Sequence, residues 1–299
     1  MTDHPLFSSD PTAALPDSLC FLNGDYSALK DAKVSVLDRG FIFGDGVYEV
    51  VPVYQSQPFR FAQHMGRLDR SLAELRIGNP FSHADWRDVA MKLVNAHGAP
   101  DQLVYIQVTR GVAPRDHVMP IDISPTVFVM TSPMKPPTAE QRQKGVACVT
   151  AQDFRWEKAH IKSVSLLGSV LARQISADQG AVETVMFRGE ALSEAAASNV
   201  WVVKDAKVIG PPRDNLVLEG IRYGLIEELC QQAGIPFELR RVMRQEVLAA
   251  DELLLSSATK EVLPVTLLDG QPVGNGLPGP VYNALFAGYQ RAKMEESLK

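Results

Sequence analysis

Four kinds of residue in this chain could do chemistry together. They are a lysine, a carboxylate among very small residues, an arginine with a glycine-led helix start, and an arginine and histidine two positions apart. Lys162 stands in Ala159-His160-Ile161-Lys162-Ser163-Val164-Ser165-Leu166-Leu167-Gly168, one residue after an apolar position and at the mouth of a segment with helical apolar spacing. Such a lysine can bury its stem and hold its amine at a cleft. A low dielectric there favours the neutral amine, a nucleophile able to form a Schiff base with a carbonyl. Taken alone, the segment reads more readily as a solvated lysine at a helix start.

What sets that plainer reading aside is a set of residues suited to a flat, phosphorylated ring with a ring nitrogen. Glu194 lies in Leu192-Ser193-Glu194-Ala195-Ala196-Ala197-Ser198-Asn199. The small residues after it let a ring lie against the backbone, the acid can keep a ring nitrogen protonated, and Ser198 or Asn199 can orient it. Arg67, beside Leu68 on an amphipathic helix, offers a guanidinium fork to a phosphate. Leu218-Glu219-Gly220-Ile221-Arg222 opens a helix whose first N–H groups make an anion site. Ser256-Ser257-Ala258-Thr259 adds hydroxyls and N–H groups after a strand. For a substrate carboxylate, Arg115 and His117 in Pro114-Arg115-Asp116-His117 could share one group. Tyr48, in Gly46-Val47-Tyr48-Glu49-Val50, could add a phenol. Arg60 and Arg110 could tune acidic substrates, with a solvated arginine the plainer reading of each. A helix arginine, a turn glycine and an alanine-rich turn explain the pieces singly; their joint occurrence points to a site.

The elements that must position these residues follow from periodicity. Residues 1–18, rich in Pro, Ser and Asp, read as a flexible segment. Asn23-Gly24 between Cys20–Leu22 and Asp25–Ser27 predicts a hairpin. Val34–Leu37, Val47–Tyr54, Val104–Thr109 and Thr126–Met130 read as strands, and 62–77 and 84–96 as amphipathic helices, the second capped by Ser82. Between the first two strands, Asp38-Arg39-Gly40-Phe41-Ile42-Phe43-Gly44-Asp45-Gly46 carries three glycines in seven residues beside two aromatics, more constraint than a surface loop requires. Residues 131–138, Thr-Ser-Pro-Met-Lys-Pro-Pro-Thr, read as a stiff connector, because proline suits neither a helix interior nor a central strand. This divides the chain into a smaller α+β domain, 19–130, and a larger domain, 139–299. In the latter, strands are expected near 146–150, 182–187, 200–203, 253–256 and 262–267. Helices are expected near 165–179, 221–233 and 281–294, with a short helical turn at 246–250. No GxGxxG or GxxxxGK[ST] is present, which argues against a Rossmann or P-loop nucleotide site.

The 299 residues, 45% hydrophobic, suffice for two modest cores. The net charge of -5 with scattered positive residues argues against nucleic acid or an anionic membrane as partner. No apolar run approaches the roughly 18 residues of a membrane span, and no signal peptide is seen. Three separated cysteines fit free thiols in the cytoplasm.

From about residue 20 to residue 290 the chain resembles the fold-type IV pyridoxal-phosphate enzymes, and among them the D-amino-acid aminotransferases. The resemblance is carried by Asp38 to Val50, Gln107-Val108-Thr109-Arg110-Gly111, Pro114 to His117, Ile161-Lys162-Ser163 with Leu166-Leu167-Gly168, and Ser198-Asn199-Val200. It implies an α+β, two-domain subunit with pyridoxal 5'-phosphate in the interdomain cleft, and a homodimer. Lys162 then matches the Schiff-base lysine, Glu194 the partner of the ring nitrogen, and Arg67 the phosphate arginine. Gly220, Ile221 and Arg222 match the phosphate-cradling helix start, and Ser257 and Ala258 the second phosphate turn. Tyr48, Val50, Arg115 and His117 match the substrate side, the last two reaching the neighbouring subunit's site. The implied reaction is transfer of an amino group from a D-amino acid, such as D-alanine or D-glutamate, to a 2-oxo acid. Same-fold alternatives are an L-branched-chain aminotransferase, an (R)-amine transaminase and an aminodeoxychorismate lyase; a noncatalytic cofactor-binding protein is the remaining one. The chain departs from the family pattern where Arg222 and Ala258 replace threonines, and where Ala195, Ala196 and Ala197 replace a glycine and serines.

Overall fold

The computed structural model describes residues 16–297. The first half builds a six-stranded antiparallel sheet in the order β2-β1-β6-β5-β3-β4. Its strands are β1 (Leu19–Leu22), β2 (Asp25–Ala28), β3 (Gly46–Tyr54), β4 (Gln57–Pro58), β5 (Gln102–Thr109) and β6 (Thr126–Pro133). A one-turn helix, α1 (Arg39–Phe43), precedes β3, and α2 (Phe61–Glu74) and α3 (His83–His97) pack on one face of the sheet. The core between them joins Val47, Val51, Val104 and Ile106 to Met65, Leu68, Leu72, Trp86 and Leu93. Strand alternation therefore sorts β3. Val47, Glu49 and Val51 are buried, while Tyr48 and Val50 are half-exposed on the other side.

The second half contributes α4 (Ala139–Lys144), β7 (Val146–Gln152), α5 (Leu167–Asp178), β8 (Glu183–Arg188), β9 (Ala191–Ala195), β10 (Asn199–Lys204) and β11 (Lys207–Gly210). It continues with α6 (Ile221–Ala233), β12 (Phe237–Leu239), α7 (Arg244–Leu248), β13 (Glu252–Ser257), β14 (Glu261–Leu268), β15 (Gln271–Pro272) and α8 (Pro280–Ser297). Its sheet runs β12-β11-β10-β13-β14-β7-β8-β9, with β15 on β14. Alternate residues of β10 serve two cores. Trp201 and Val203 meet α6 and α8, while Val200 and Val202 face Val185, Leu253 and Leu263. Tyr54 and Phe59 from the first half join the α6–α8 core, so one apolar cluster spans both sheets.

β7 and β8 are parallel and joined through α5, and residues 153–166 lie in that crossover. A loop leaving the carboxyl end of a parallel strand is where open α/β sheets place ligand groups. Lys162 is in this crossover, five residues before the helix rather than at its first turn. Its backbone is pinned to the other sheet: Tyr48 N–H donates to the Lys162 carbonyl at 3.0 Å, Val164 N–H to the Gly46 carbonyl at 3.0 Å, and Ser163 bridges Val47.

Several sequence expectations are corrected. Val34–Leu37 is not a strand: among the described residues no strand ladder includes it, its link being the single bond from Ala113 N–H to the Leu37 carbonyl, and Val34, Val36 and Leu37 are exposed. β-branched composition is not enough where no partner edge is available. The Asp38–Gly46 loop contains α1, capped by the Asp38 carboxylate accepting from Gly40 N–H at 2.8 Å. Glu194 stands on strand β9, and only Ala196–Ser198 form the bend after it. β6 extends through Pro133, which pairs with Gln102 beyond the reach of β1. Proline is accommodated there because only one neighbouring strand remains. α4 was readable from Thr138-Ala139-Glu140-Gln141, whose Thr138 and Gln141 form a capping box. Of the expected flexible segment, residues 1–15 lie outside the described residues.

Candidate active site

A cavity of about 1090 Å³ opens between the two halves. Lys162, Glu194, Arg67, Tyr48, Val50, Gly220, Ile221, Arg222, Ser257 and Ala258 all line it. Ile161 anchors the lysine segment in the small core, and the Lys162 side chain crosses the Tyr48 ring with Nζ 4.1 Å from its centroid. An aromatic face beside the amine excludes water and gives the stem a fixed path.

Glu194 is buried and held from three sides. Arg155 Nη1 lies 3.0 Å from Oε1, while Leu218 N–H and Asn199 Nδ2 donate to Oε2 at 3.0 and 3.2 Å. Burial pushes its carboxyl up to about 7, against the downward pull of Arg155 and the Leu218 amide. Arg155 is itself fixed by Asp153 through Nε and Nη2, at 3.0 and 2.9 Å. A carboxylate has about four acceptor positions, so three donors leave Glu194 one for a ring nitrogen. Of the two residues expected to orient this acid, Asn199 does so; Ser198 instead donates to Glu183, which also pairs with Lys260.

Arg67 reaches the cavity from α2 as part of a buried triad. Its Nε and Nη2 donate to Glu49 Oε1 and Oε2 at 2.7 and 2.8 Å, and His64 Nδ1 lies 2.7 Å from Oε2. His64 and Arg67, three apart on a helix, share a face, and Glu49 meets them from β3. Burial alone would raise Glu49, but the Arg67 charge and the two donors hold it well below the usual carboxylate range. Burial pushes His64 down to about 4 despite the Glu49 bond, so His64 is neutral and donates from Nδ1. Its Nε2 has no partner among the described residues, and neither has Nε of Arg222.

Arg222 stands in the first turn of α6, 2% exposed. Its Nη2 donates to the Tyr289 hydroxyl at 2.8 Å, and no carboxylate among the described residues pairs with it. A buried guanidinium without a counter-charge is costly. At a helix start beside Arg67 it suits a dianionic group. Gly220, the residue before α6, is required by close approach: a Cβ there would collide with Asn199 Oδ1. Unpartnered buried nitrogens, a glycine-walled helix start and an acid with one free acceptor position together fit a phosphorylated pyridine cofactor.

Two of the expected site residues do not line the cavity. Arg115 and His117 are exposed on the loop after β5, against the Phe43 ring at 5.4 and 5.3 Å. Arg110 is buried on Asp45, and Arg60 pairs with Glu228 on α6, so neither tunes substrate in this cavity. Glu49, His64 and Arg155 were not singled out from the sequence. The first two carried a signal, since His64 and Arg67 share a helix face that calls for a carboxylate opposite.

The amino-transferase class IV family profile matches residues 46–268. D-alanine aminotransferase of Bacillus licheniformis is 37% identical over 277 residues, covering 93% of this chain and 98% of that protein. The Staphylococcus aureus (strain MSSA476) enzyme of the same name is 36% identical over 91% of this chain and 96% of its own. The T.th. branched-chain amino acid aminotransferase with pyridoxamine 5'-phosphate superposes with a TM-score of 0.88 at 23% identity, over 94% of this chain and 95% of that one. The branched-chain enzyme of Escherichia coli superposes with 0.84 at 24%, over 91% and 93%. Among the described residues, no cluster suited to a metal ion occurs, and no helix is long and apolar enough to cross a membrane.

Proposed function

Because this chain belongs to the class IV aminotransferases, we propose that it transfers the amino group of D-amino acids, such as D-alanine or D-glutamate, to a 2-oxo acid. Aminotransferase activity with pyridoxal 5'-phosphate is the family's chemistry; the D-substrate is our reading of this member. One observation carries the site: a lysine amine, a buried acid with a free acceptor position and two guanidinium groups converge on one cavity. The D-preference is supported by relatives named D-alanine aminotransferase at 36 and 37% identity across nearly their full lengths.

Pyridoxal phosphate, when bound, supplies a carbonyl for an incoming amine and a ring that takes up the electrons released at the α-carbon. The protein's part is orientation and proton control. Lys162 would hold the cofactor covalently at rest and, once displaced by substrate, take the α-proton on its amine. Glu194, which burial pushes up to about 7 while Arg155 and the Leu218 amide favour its ionised form, would keep the ring nitrogen protonated. Arg67, Arg222 and the first N–H groups of α6 would hold the phosphate, with Gly220 and Ile221 shaping the approach and Ser257 and Ala258 closing the other side. Tyr48 and Val50 would bound the substrate side.

Arg115 and His117 would take the substrate α-carboxylate in the cavity of a second copy. This requires a homodimer. The exposure of Val36, Phe41, Val118 and Ile121 near their loop, and of Leu167 and Val170 by the cavity mouth, supports an apolar interface. We further propose that the chain divides within 131–138, after β6 ends at Pro133, and works in the cytoplasm, to which its three free, buried cysteines are suited.

The test is a substrate panel on purified enzyme: D-alanine, L-leucine and a primary amine, each with 2-oxoglutarate, and D-glutamate with pyruvate. D-alanine should turn over fastest; L-leucine turnover with D-alanine inert would overturn the proposal.

A further inference from the structure

The Asp38–Gly46 stretch is only partly accounted for by the cavity, yet it is among the most heavily bonded parts of the molecule. Asp45 accepts from two buried guanidinium groups at once. Arg39 Nε is 2.8 Å from Oδ2, and Arg110 Nε and Nη2 are 2.8 and 3.0 Å from Oδ2 and Oδ1. Burial would raise this carboxyl, but the two arginines hold it below its ordinary value. Arg110 then donates to the carbonyls of Leu75 and Arg76, just past α2, the helix that carries Arg67. Arg39 turns the other way, and its Nη1 donates to the Asp116 carbonyl at 2.5 Å. Asp116 is the residue between Arg115 and His117.

The backbone repeats the attachment. Arg39 N–H donates to the Gly111 carbonyl at 2.9 Å, Ala113 N–H to the Leu37 carbonyl at 3.3 Å, and Asp38 bridges Val112. Gly40 lets the two segments meet, since a Cβ there would collide with Thr109 Cγ2. Phe43, at the end of the same short helix, has the Arg39 guanidinium 4.8 Å and the Arg115 guanidinium 5.4 Å from its ring centroid, and His117 beside it. An exposed loop of this composition would otherwise sample many conformations, and each ordered side chain would cost entropy on binding.

We propose that Arg39 and Asp45, with Phe43 as platform, are positioning residues for substrate. They brace the 111–117 loop so that Arg115 and His117 are presented ready for a substrate carboxylate. Arg39 acts through the Asp116 carbonyl, and Asp45 acts by fixing Arg39 against Arg110. The proposal rests on the reading that Arg115 and His117 take that carboxylate. It predicts that the brace governs substrate affinity, not cofactor retention.

Arg39→Lys tests it in the holoenzyme. A lysine can keep the ion pair with Asp45, but its compact ammonium lacks the fork by which Arg39 reaches Asp45 from Nε and the Asp116 carbonyl from Nη1. The expected result is a roughly ten-fold rise in KM for D-alanine with kcat within about two-fold. Cofactor affinity should be unchanged, and backbone hydrogen exchange at 112–119 faster. Arg115→Ala, run beside it, should raise KM without changing that exchange. Overturning results are an unchanged KM in Arg39→Lys while Arg115→Ala raises it, or cofactor affinity and substrate affinity falling off together in Arg39→Lys. An unchanged KM in Arg115→Ala overturns the carboxylate reading itself and the proposal with it.

Discussion

Glu49→Gln is the perturbation whose consequence can be worked furthest from the structure. Glu49 is fully buried and takes two bonds from Arg67, at 2.7 and 2.8 Å, and one from His64 at 2.7 Å. Glutamine keeps the volume but removes the charge and turns an N–H₂ toward donors. Arg67, 6% exposed, is then a buried cation without a counter-charge, left with neutral acceptors: the glutamine oxygen and the Glu219 carbonyl at 3.3 Å. Stranding one partner of a buried pair costs about 3–5 kcal/mol. In a chain of this size that is a fall in Tm of roughly 5–8 °C. An anion in the cavity would return part of the missing charge, and a ligand at about a hundred times its Kd stabilises by about 2.7 kcal/mol. Denaturant melts of cofactor-free wild type and variant, in chloride and in inorganic phosphate at matched ionic strength, should therefore show a gap that narrows in phosphate. In an Arg67→Met background the gap should vanish or reverse, because there Glu49 is itself the stranded charge and glutamine relieves it. A gap below about 1 kcal/mol in chloride, or one that persists unchanged without Arg67, would refute the reasoning.

The same cluster has a pH signature. His64 is buried neutral with its pKa pushed down to about 4. Below the ordinary value near 6.5 the unfolded chain takes up a proton that the native state refuses, and stability is lost as pH falls through 6.5 toward 4, by about 3 kcal/mol at most. Urea melts of wild type and His64→Gln across that window should diverge, the wild type being the steeper; parallel curves would contradict the assignment. At the other end of the cavity, Arg155→Met removes the cation that opposes the burial of Glu194. The loss of a charged hydrogen bond should raise Glu194 further, by about 1–2 pH units, and move the acid limb of the kcat/KM profile upward by a similar amount. An acid limb that stays in place would remove Arg155 from that role.

Much of this site was legible because its parts sit on strongly patterned elements. α2 is a clean amphipathic helix, so the side that Arg67 presents could be read, and the strand alternation of β3 set Tyr48 and Val50 apart from Val47 and Val51. Gly220 before an apolar-periodic helix marked the helix start that lines the cavity. What escaped was long-range pairing of charges. Nothing local to Arg155 says that it meets Glu194, thirty-nine positions on, because that contact is made by the register of β9 beside β8 and the crossover after β7. Glu194 was placed on a turn because three alanines hide a strand end, where burial rather than β-propensity decides. Val34–Leu37 failed the other way, with strand composition and no edge to pair. Arg115 and His117 could be recognised by type, but one copy of the chain leaves them on its surface against Phe43.

The proposed chemistry centres on the amine of residue 162. Reducing the purified enzyme with borohydride in the presence of pyridoxal phosphate, then digesting it and mapping the modified peptide by mass spectrometry, tests it most directly. The expected result is one cofactor per chain, fixed to Lys162, with Lys162→Ala unlabelled and lacking the visible absorbance of the bound cofactor. Label on another lysine, or normal turnover in Lys162→Ala, would contradict it.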